Sequence, residues 1–137
     1  MLIKALFATL LIPFFAMAQF NLTVSVKNVK STDGKVSVAV YDNAAGFLKF
    51  DKVFKAASAP AEKGQTKVTI KDLPKGTYAL AVFHDVNDND KLDTNMLGIP
   101  KEPLGFSKGK LKTFGPPSYE ECSFELTEDY EIDVPLN

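Results

Sequence analysis

The chain has 137 residues, and its 16 basic and 17 acidic residues leave a net charge of −1. This length suits one domain with a single hydrophobic core. Because both signs of charge are interspersed and nearly balance, the composition excludes the basic footprint of a nucleic-acid-binding protein. It equally excludes a polybasic patch for anionic lipids.

The N-terminus has the three parts of a secretory signal. Lys4 precedes an apolar run interrupted by Pro13, and the small residues Ala16 and Ala18 follow. The run is shorter than the ~20 residues of a membrane-spanning helix, which favours a signal cleaved after Ala18 over an anchor. We therefore expect export to the periplasm, cell surface or medium, with no membrane span. The expected organisation is a signal peptide, residues 1–18, and a single β-sandwich domain, residues 19–137.

Alternating apolar and polar residues predict strands in most of the mature domain. The apolar side chains of 20–26 and of 36–40 each fall on one face. Because the turn at 31–34 joins the two segments, we expect them to form an antiparallel hairpin. Further strands are expected at residues 66–70, 77–83, 123–126 and 130–136.

Six or seven such strands predict an all-β fold, an antiparallel β-sandwich with one long irregular connection. Residues 77–83 are apolar on both faces and should lie inside a sheet, whereas Pro135 places the last strand at an edge. Residues 43–64 have no clear period and should form a loop with a short strand or helical turn. The long connection, residues 84–119, is of a length that usually carries function.

The long connection opens with a segment rich in Asp and Asn. Counted from Asp85 as position 1, side-chain oxygens recur at positions 3, 5 and 9, and the backbone carbonyl at position 7 completes the spacing of an oxygen-ligand calcium loop. We call residues 85–93 the Asp/Asn loop. Its predicted ligands are Asp85, Asn87, Asn89, the carbonyl of Lys91, and Asp93.

This loop departs from an EF-hand at two positions. Asp90 stands where an EF-hand has Gly, and Met96 stands in place of the bidentate Glu. The pattern therefore indicates an abbreviated calcium loop that needs a further ligand, and Glu102 in the same connection is the expected one. The alternative is a solvated Asp/Asn turn without metal.

The chain has one histidine, His84, and one cysteine, Cys122. Zinc would need more ligands of these types, so we expect His84 to be structural or to support the loop from outside it. Cys122 follows two glutamates, which predicts a buried structural thiol in a strand rather than a reactive one. No nucleophile lies in a recognisable motif, so we expect no enzyme. A metal-dependent hydrolase or lyase that uses His84, Asp85 and Glu102 is the alternative.

Three aromatic residues of the long connection have two interpretations. Phe106, Phe114 and Tyr119 either face a ligand beside the cation or anchor the connection to the domain.

Several motifs follow one another along the mature chain. The Leu-Pro-x-Gly-x-Tyr turn and strand at 73–78 resembles that of prealbumin-like and carboxypeptidase-regulatory-like sandwich domains. With it, the motifs beginning at His84, Leu97, Gly105 and Gly115 resemble a family of small exported bacterial proteins known as a domain of unknown function. The resemblance implies an export signal and an Ig-like or prealbumin-like sandwich, and it implies no activity.

The residues themselves favour an exported binding or structural module in which the Asp/Asn loop holds calcium. Its partner would be a protein or glycan at the cell envelope, and no nucleic acid is expected. The second alternative to this function is a metal-free protein-interaction domain whose acidic loop is solvated.

Overall fold

A computed structural model of the chain describes residues 9–14 and 16–137. Within this part the chain forms eight strands, a 3-10 turn and a short helix. The strands are β1 (Gln19–Val29), β2 (Lys35–Tyr41), β3 (Lys55–Pro60), β4 (Gly64–Pro74), β5 (Gly76–Asp85), β6 (Leu104–Phe106), β7 (Phe124–Leu126) and β8 (Tyr130–Pro135); the 3-10 turn is Phe50–Lys52 and the helix, α1, is Tyr119–Cys122.

The strands form two sheets. In the first sheet β1 lies between β4, to which it is antiparallel, and β8, to which it is parallel. The second sheet has the order β3-β2-β5-β6, with β7 pairing the start of β5, and all its pairs are antiparallel. The expected all-β sandwich is confirmed. β5 lies inside its sheet and β8, with Pro135, lies at an edge, as the sequence predicted.

The expected hairpin of β1 and β2 is wrong, because the two strands belong to different sheets. Val24 and Val38 are both buried in the same core, which their strands cover from opposite sides. Alternation shows which face of a strand is buried, but it does not distinguish strands that pair from strands that face each other. The long connection is also less irregular than expected, since it contains β6 and the start of α1. The region 43–64 holds the 3-10 turn and β3, in line with its expectation.

The core lies between the two sheets and consists of inward side chains at alternate positions. Burying each of these side chains stabilises the fold by about 1.5–3 kcal/mol. The central members are Leu22, Val24, Val26, Val36, Val38, Val40, Val68, Ile70, Leu80 and Val82.

A second cluster covers the opposite face of β5. It contains Ala79, Leu104, Phe106 and Cys122, with Phe47 packed against it. The cysteine is buried, as expected, although it ends α1 and does not lie in a strand.

Residues 9–14 and 16–18 have no regular secondary structure and are exposed, and β1 begins directly after them at Gln19. Residues 1–8 and 15 of the expected signal peptide lie outside the described residues. In the described ranges, no helix is both long and apolar enough to cross a membrane.

Candidate metal site

Asp85 ends β5 and lies opposite Lys35 of β2 in the ladder. Its side chain is buried, and each carboxylate oxygen accepts one backbone N–H, from Asn89 at 3.1 Å and from Asp90 at 2.8 Å. Asp85 therefore curls the chain that follows it. A carboxylate oxygen has a further lone pair, so these bonds leave Asp85 able to bind a cation.

The backbone of the Asp/Asn loop turns through two left-handed residues. Asp88 has φ 55° and Asp90 has φ 63°. Asp tolerates this conformation better than most residues other than Gly, because its short polar side chain bonds locally. Asp90 thus takes the conformation for which an EF-hand uses Gly.

The side chains of two predicted ligands, Asn87 and Asn89, meet that of a third, Asp93. The amide nitrogens of Asn87 and Asn89 donate to its two carboxylate oxygens at 2.7 and 2.8 Å. The bonds from Asn89 and Asn87 hold the pKa of Asp93 below its ordinary value. Rotation of each amide by 180° exchanges its nitrogen for its oxygen, so the same positions can offer two amide oxygens and a carboxylate to a cation. The N–H of Lys91 donates to Asn89 Oδ1 at 3.0 Å.

Glu102 joins the far end of the loop to its start. One of its carboxylate oxygens accepts the N–H of Val86 and the other accepts the N–H of Asp93, each at 3.2 Å. Burial raises the pKa of Glu102, and the negative charges of Asp93 and Asp85 raise it further. The expected additional ligand therefore lies within the same group of acidic residues, where a cation would offset the like charges.

A second acidic group overlaps the first. Carboxylate oxygens of Asp85, Asp88 and Asp90 lie within 4.8 Å of one another. The Lys35 ammonium forms ion pairs with Asp90 and, at 3.0 Å, with Asp88. These two contacts raise the pKa of Lys35 above its ordinary value. The lysine thus supplies the positive charge at this group. Loop spacing could not reveal it, because Lys35 is 55 residues from Asp90 and only the β2–β5 ladder brings it there.

His84 does not join the acidic residues. It continues the every-second-residue series of Tyr78, Leu80 and Val82, so its side chain faces the sandwich interior while that of Asp85 faces the other way. Its Nε2 donates to the carbonyl oxygen of Asp33 at 2.6 Å. Its Nδ1 is buried and has no hydrogen-bond partner among the residues that the structure describes. The structure therefore brings together Asp85 and Glu102 of the enzyme alternative, but not its histidine.

The three aromatic residues of the long connection have different surroundings. Phe106 is buried in the second cluster, and Tyr119 packs edge-on against Phe47 with ring centroids 5.8 Å apart. The Tyr119 hydroxyl also donates to the carbonyl of Thr77 at 3.0 Å. Phe114 is fully exposed. Two of the three thus anchor the connection to the domain.

One family model matches the chain over residues 24–133, and it is described as an uncharacterized protein conserved in bacteria (DUF2141). The match includes the whole Asp/Asn loop and Glu102. No curated protein and no solved structure matches the chain significantly. The chain is therefore a member of this family of uncharacterised bacterial proteins, the kind of family that its motifs resemble.

Proposed function

We propose that this protein is an exported binding or structural module whose Asp/Asn loop holds calcium and so fixes the long connection. The observation that carries the proposal is the convergence of the Asn87 and Asn89 amides on the Asp93 carboxylate. Side chains at positions 3, 5 and 9 of the spacing meet at one point, which is what a loop that encloses a cation requires.

The donor set also fits calcium in number and chemistry. The six predicted ligand residues offer one oxygen each, and calcium takes six to eight oxygens. Asp85 and Glu102 are buried carboxylates that need compensation by positive charge or hydrogen bonds. Their backbone bonds hold them at the two ends of the loop, so a cation between them would lock the connection between β5 and β6.

Export draws support from the position of β1. Among the described residues every strand begins after Ala18, so cleavage there would leave these strands intact. An exported domain without disulfides must rely on its core or on a metal for stability.

The hydrolase or lyase alternative draws no support from the geometry, because His84, its only histidine base, faces the sandwich interior. A protein or glycan of the cell envelope remains the kind of partner that we propose for the module. The metal-free interaction domain differs from our proposal only in whether the loop responds to calcium.

Thermal unfolding in chelator and in millimolar calcium tests the proposal. The full-length chain is expressed with its own N-terminus, and mass spectrometry defines the processed form. Asp93→Asn is the informative variant, because the Asp93 carboxylate accepts hydrogen bonds from side-chain amides, whereas the Asp85 carboxylate accepts two backbone N–H groups and holds the loop backbone. Asp133→Asn, an exposed residue of β8, is the control with the same change of charge.

Calcium should raise the unfolding midpoint of the parent chain and of Asp133→Asn by roughly 10 °C at a hundredfold excess over Kd. Asp93→Asn should show little of this rise. If the midpoint does not rise even at about ten times the millimolar calcium of the first test, or if it rises equally in Asp93→Asn, the calcium site is overturned and the metal-free interaction domain is left.

A further inference from the structure

A cavity of about 890 Å³ lies on the face of the second sheet that points away from the main core. Ligand pockets in proteins measure about 300–1,000 Å³. Its floor is set by strand register: Ala56, Ala39 and Ala81 lie abreast on three neighbouring strands, and Phe106 follows on β6. The three methyl groups leave open the space that larger side chains would fill.

Two separate segments border this floor and leave it partly open to solvent, since Phe50 is 85% and Ile99 55% exposed. Leu48 and Phe50 line the cavity from the segment between β2 and β3, and Ile99 and Leu111 line it from the long connection. Floor and walls are therefore both largely apolar, so that the favoured occupant is a molecule with a large apolar body.

The length of the floor suits an acyl chain. Both Lys35 and Tyr41 line the cavity, and the six residue steps between them on β2 span about 20 Å. The hydrocarbon core of a bilayer is about 30 Å thick, so one lipid chain extends over about 15 Å. A single extended chain of lipid length fits along β2.

The charged side chains of the cavity lining leave one lysine for an anionic head group. They are Lys35, Asp90 and Lys112, and Lys35 is paired with Asp90. Lys112 lines the cavity and is paired with Glu121 at 2.5 Å. Its side chain is 56% exposed, and such surface ion pairs are weak, so its ammonium can turn to a ligand at low cost. Lys35, by contrast, is held by two aspartates.

We infer that the cavity binds a single-chain fatty acid, with its acyl chain along β2, between the alanines of β3 and β5, and its carboxylate at Lys112. The inference names a ligand for the proposed binding module but does not depend on calcium. Floor and head-group lysine exist without the metal, so the two proposals can fail separately.

Titration with cis-parinaric acid, a fluorescent fatty acid, tests the cavity. The full-length chain is used in its processed form, once in chelator and once in calcium. Ala81→Trp places a large side chain on the floor, and Ser58→Trp does so from the edge strand β3, where the fold tolerates it more readily. Thr69→Trp, exposed on the first sheet, is the matched control. Circular dichroism verifies that each variant is folded.

The parent chain and Thr69→Trp should bind the probe saturably, and both cavity variants should bind it at least about tenfold more weakly. Non-saturable binding, or an equal loss in Thr69→Trp, overturns the inference. Binding only to vesicles of phosphatidylglycerol and phosphatidylcholine, unaffected by Ser58→Trp, also overturns it in favour of a membrane surface.

Competition against the probe tests the head group. Lys112→Gln should weaken binding of the probe itself, which is also a fatty acid, and should raise the inhibition constant of palmitate roughly tenfold, whereas the inhibition constant of hexadecanol, corrected for the probe's affinity, should not change. Lys110→Gln, a neighbouring exposed lysine outside the cavity lining, should change none of these. Equal behaviour of the two lysine variants overturns the fatty-acid assignment. Binding that is the same in chelator and in calcium supports the inference even if the calcium proposal fails.

Discussion

Gly34 lies directly against the end of β5, where a Cβ atom on it would be 1.9 Å from the carbonyl oxygen of Asp85. The same Cβ would be 2.7 Å from the carbonyl oxygen of Val86, and Gly34 has φ +64°. The turn before β2 and the start of the Asp/Asn loop therefore share a space that only glycine fits.

Gly34→Ala should lower the free energy of unfolding by about 3 kcal/mol, since it adds a backbone clash to the strain of a left-handed residue. Urea denaturation measures the change. Gly64→Ala is the matched control: Gly64 has φ +90°, but no atom lies within 4 Å of its Cβ position. It should lose only about 1 kcal/mol through strain. Equal losses in the two variants would show that the Gly34–Asp85 contact is not tight.

Glu102→Gln should destabilise the domain by about 1–3 kcal/mol in chelator. The Glu102 carboxylate accepts two backbone N–H groups, whereas Gln presents one oxygen and one NH₂, so one of the two donors loses its acceptor. Urea denaturation in chelator measures the loss. Glu125→Gln, an exposed substitution on β7, is the control and should have little effect. If the two variants are equally stable, Glu102 does not hold the loop.

The sequence predicted the buried faces of the strands well but not their pairing. Val24 and Val38 both show the alternation of a half-buried strand, and both are buried. Whether their strands pair or face each other depends on contacts distant in sequence, which alternation does not encode. The parallel pairing of β1 with β8 is a contact of the same long-range kind.

The residues of the candidate site that lie close together in sequence could be predicted. Spacing alone identified Asn87, Asn89 and Asp93, whose side chains converge. Lys35 could not be found in this way, because it reaches the loop across a sheet. The cavity was equally hidden: Ala39 and Ala81 lie far apart in sequence and become neighbours only through the β2–β5 register.

Cys122 should react very slowly with thiol reagents at pH 8 in the folded protein. Burial raises the pKa of its thiol from 9.0 to about 11, which leaves little of the nucleophilic thiolate. The unfolded chain ionises first, so stability should fall as pH rises from about 9 to about 11. Labelling in native buffer and in urea, and urea denaturation at several pH values, measure both effects. Cys122→Ala should lack this part of the pH dependence, and rapid labelling of the native protein would contradict the burial.

Lys35→Met should strengthen calcium binding, because it removes a positive charge that is bonded to Asp88 and Asp90 beside the proposed ligands. If Asn87, Asn89 and Asp93 hold the calcium, Lys35 acts on it only through space, and its removal should lower Kd about two- to fivefold. With Asp88 and Asp90 as direct ligands, the ammonium competes for the same oxygens, and the gain should exceed about tenfold.

Calorimetric titration of calcium into the parent chain and the Lys35 variant separates these two arrangements. Lys63→Met, at an exposed residue of the turn before β4, removes the same charge from another part of the domain and should leave Kd nearly unchanged. Equal affinities for the Lys35 and Lys63 variants would mean that calcium does not bind beside Asp88 and Asp90. Calcium would then have to bind elsewhere in the chain and not at the proposed ligands, since one of these, Asp85, accepts the backbone N–H of Asp90 itself.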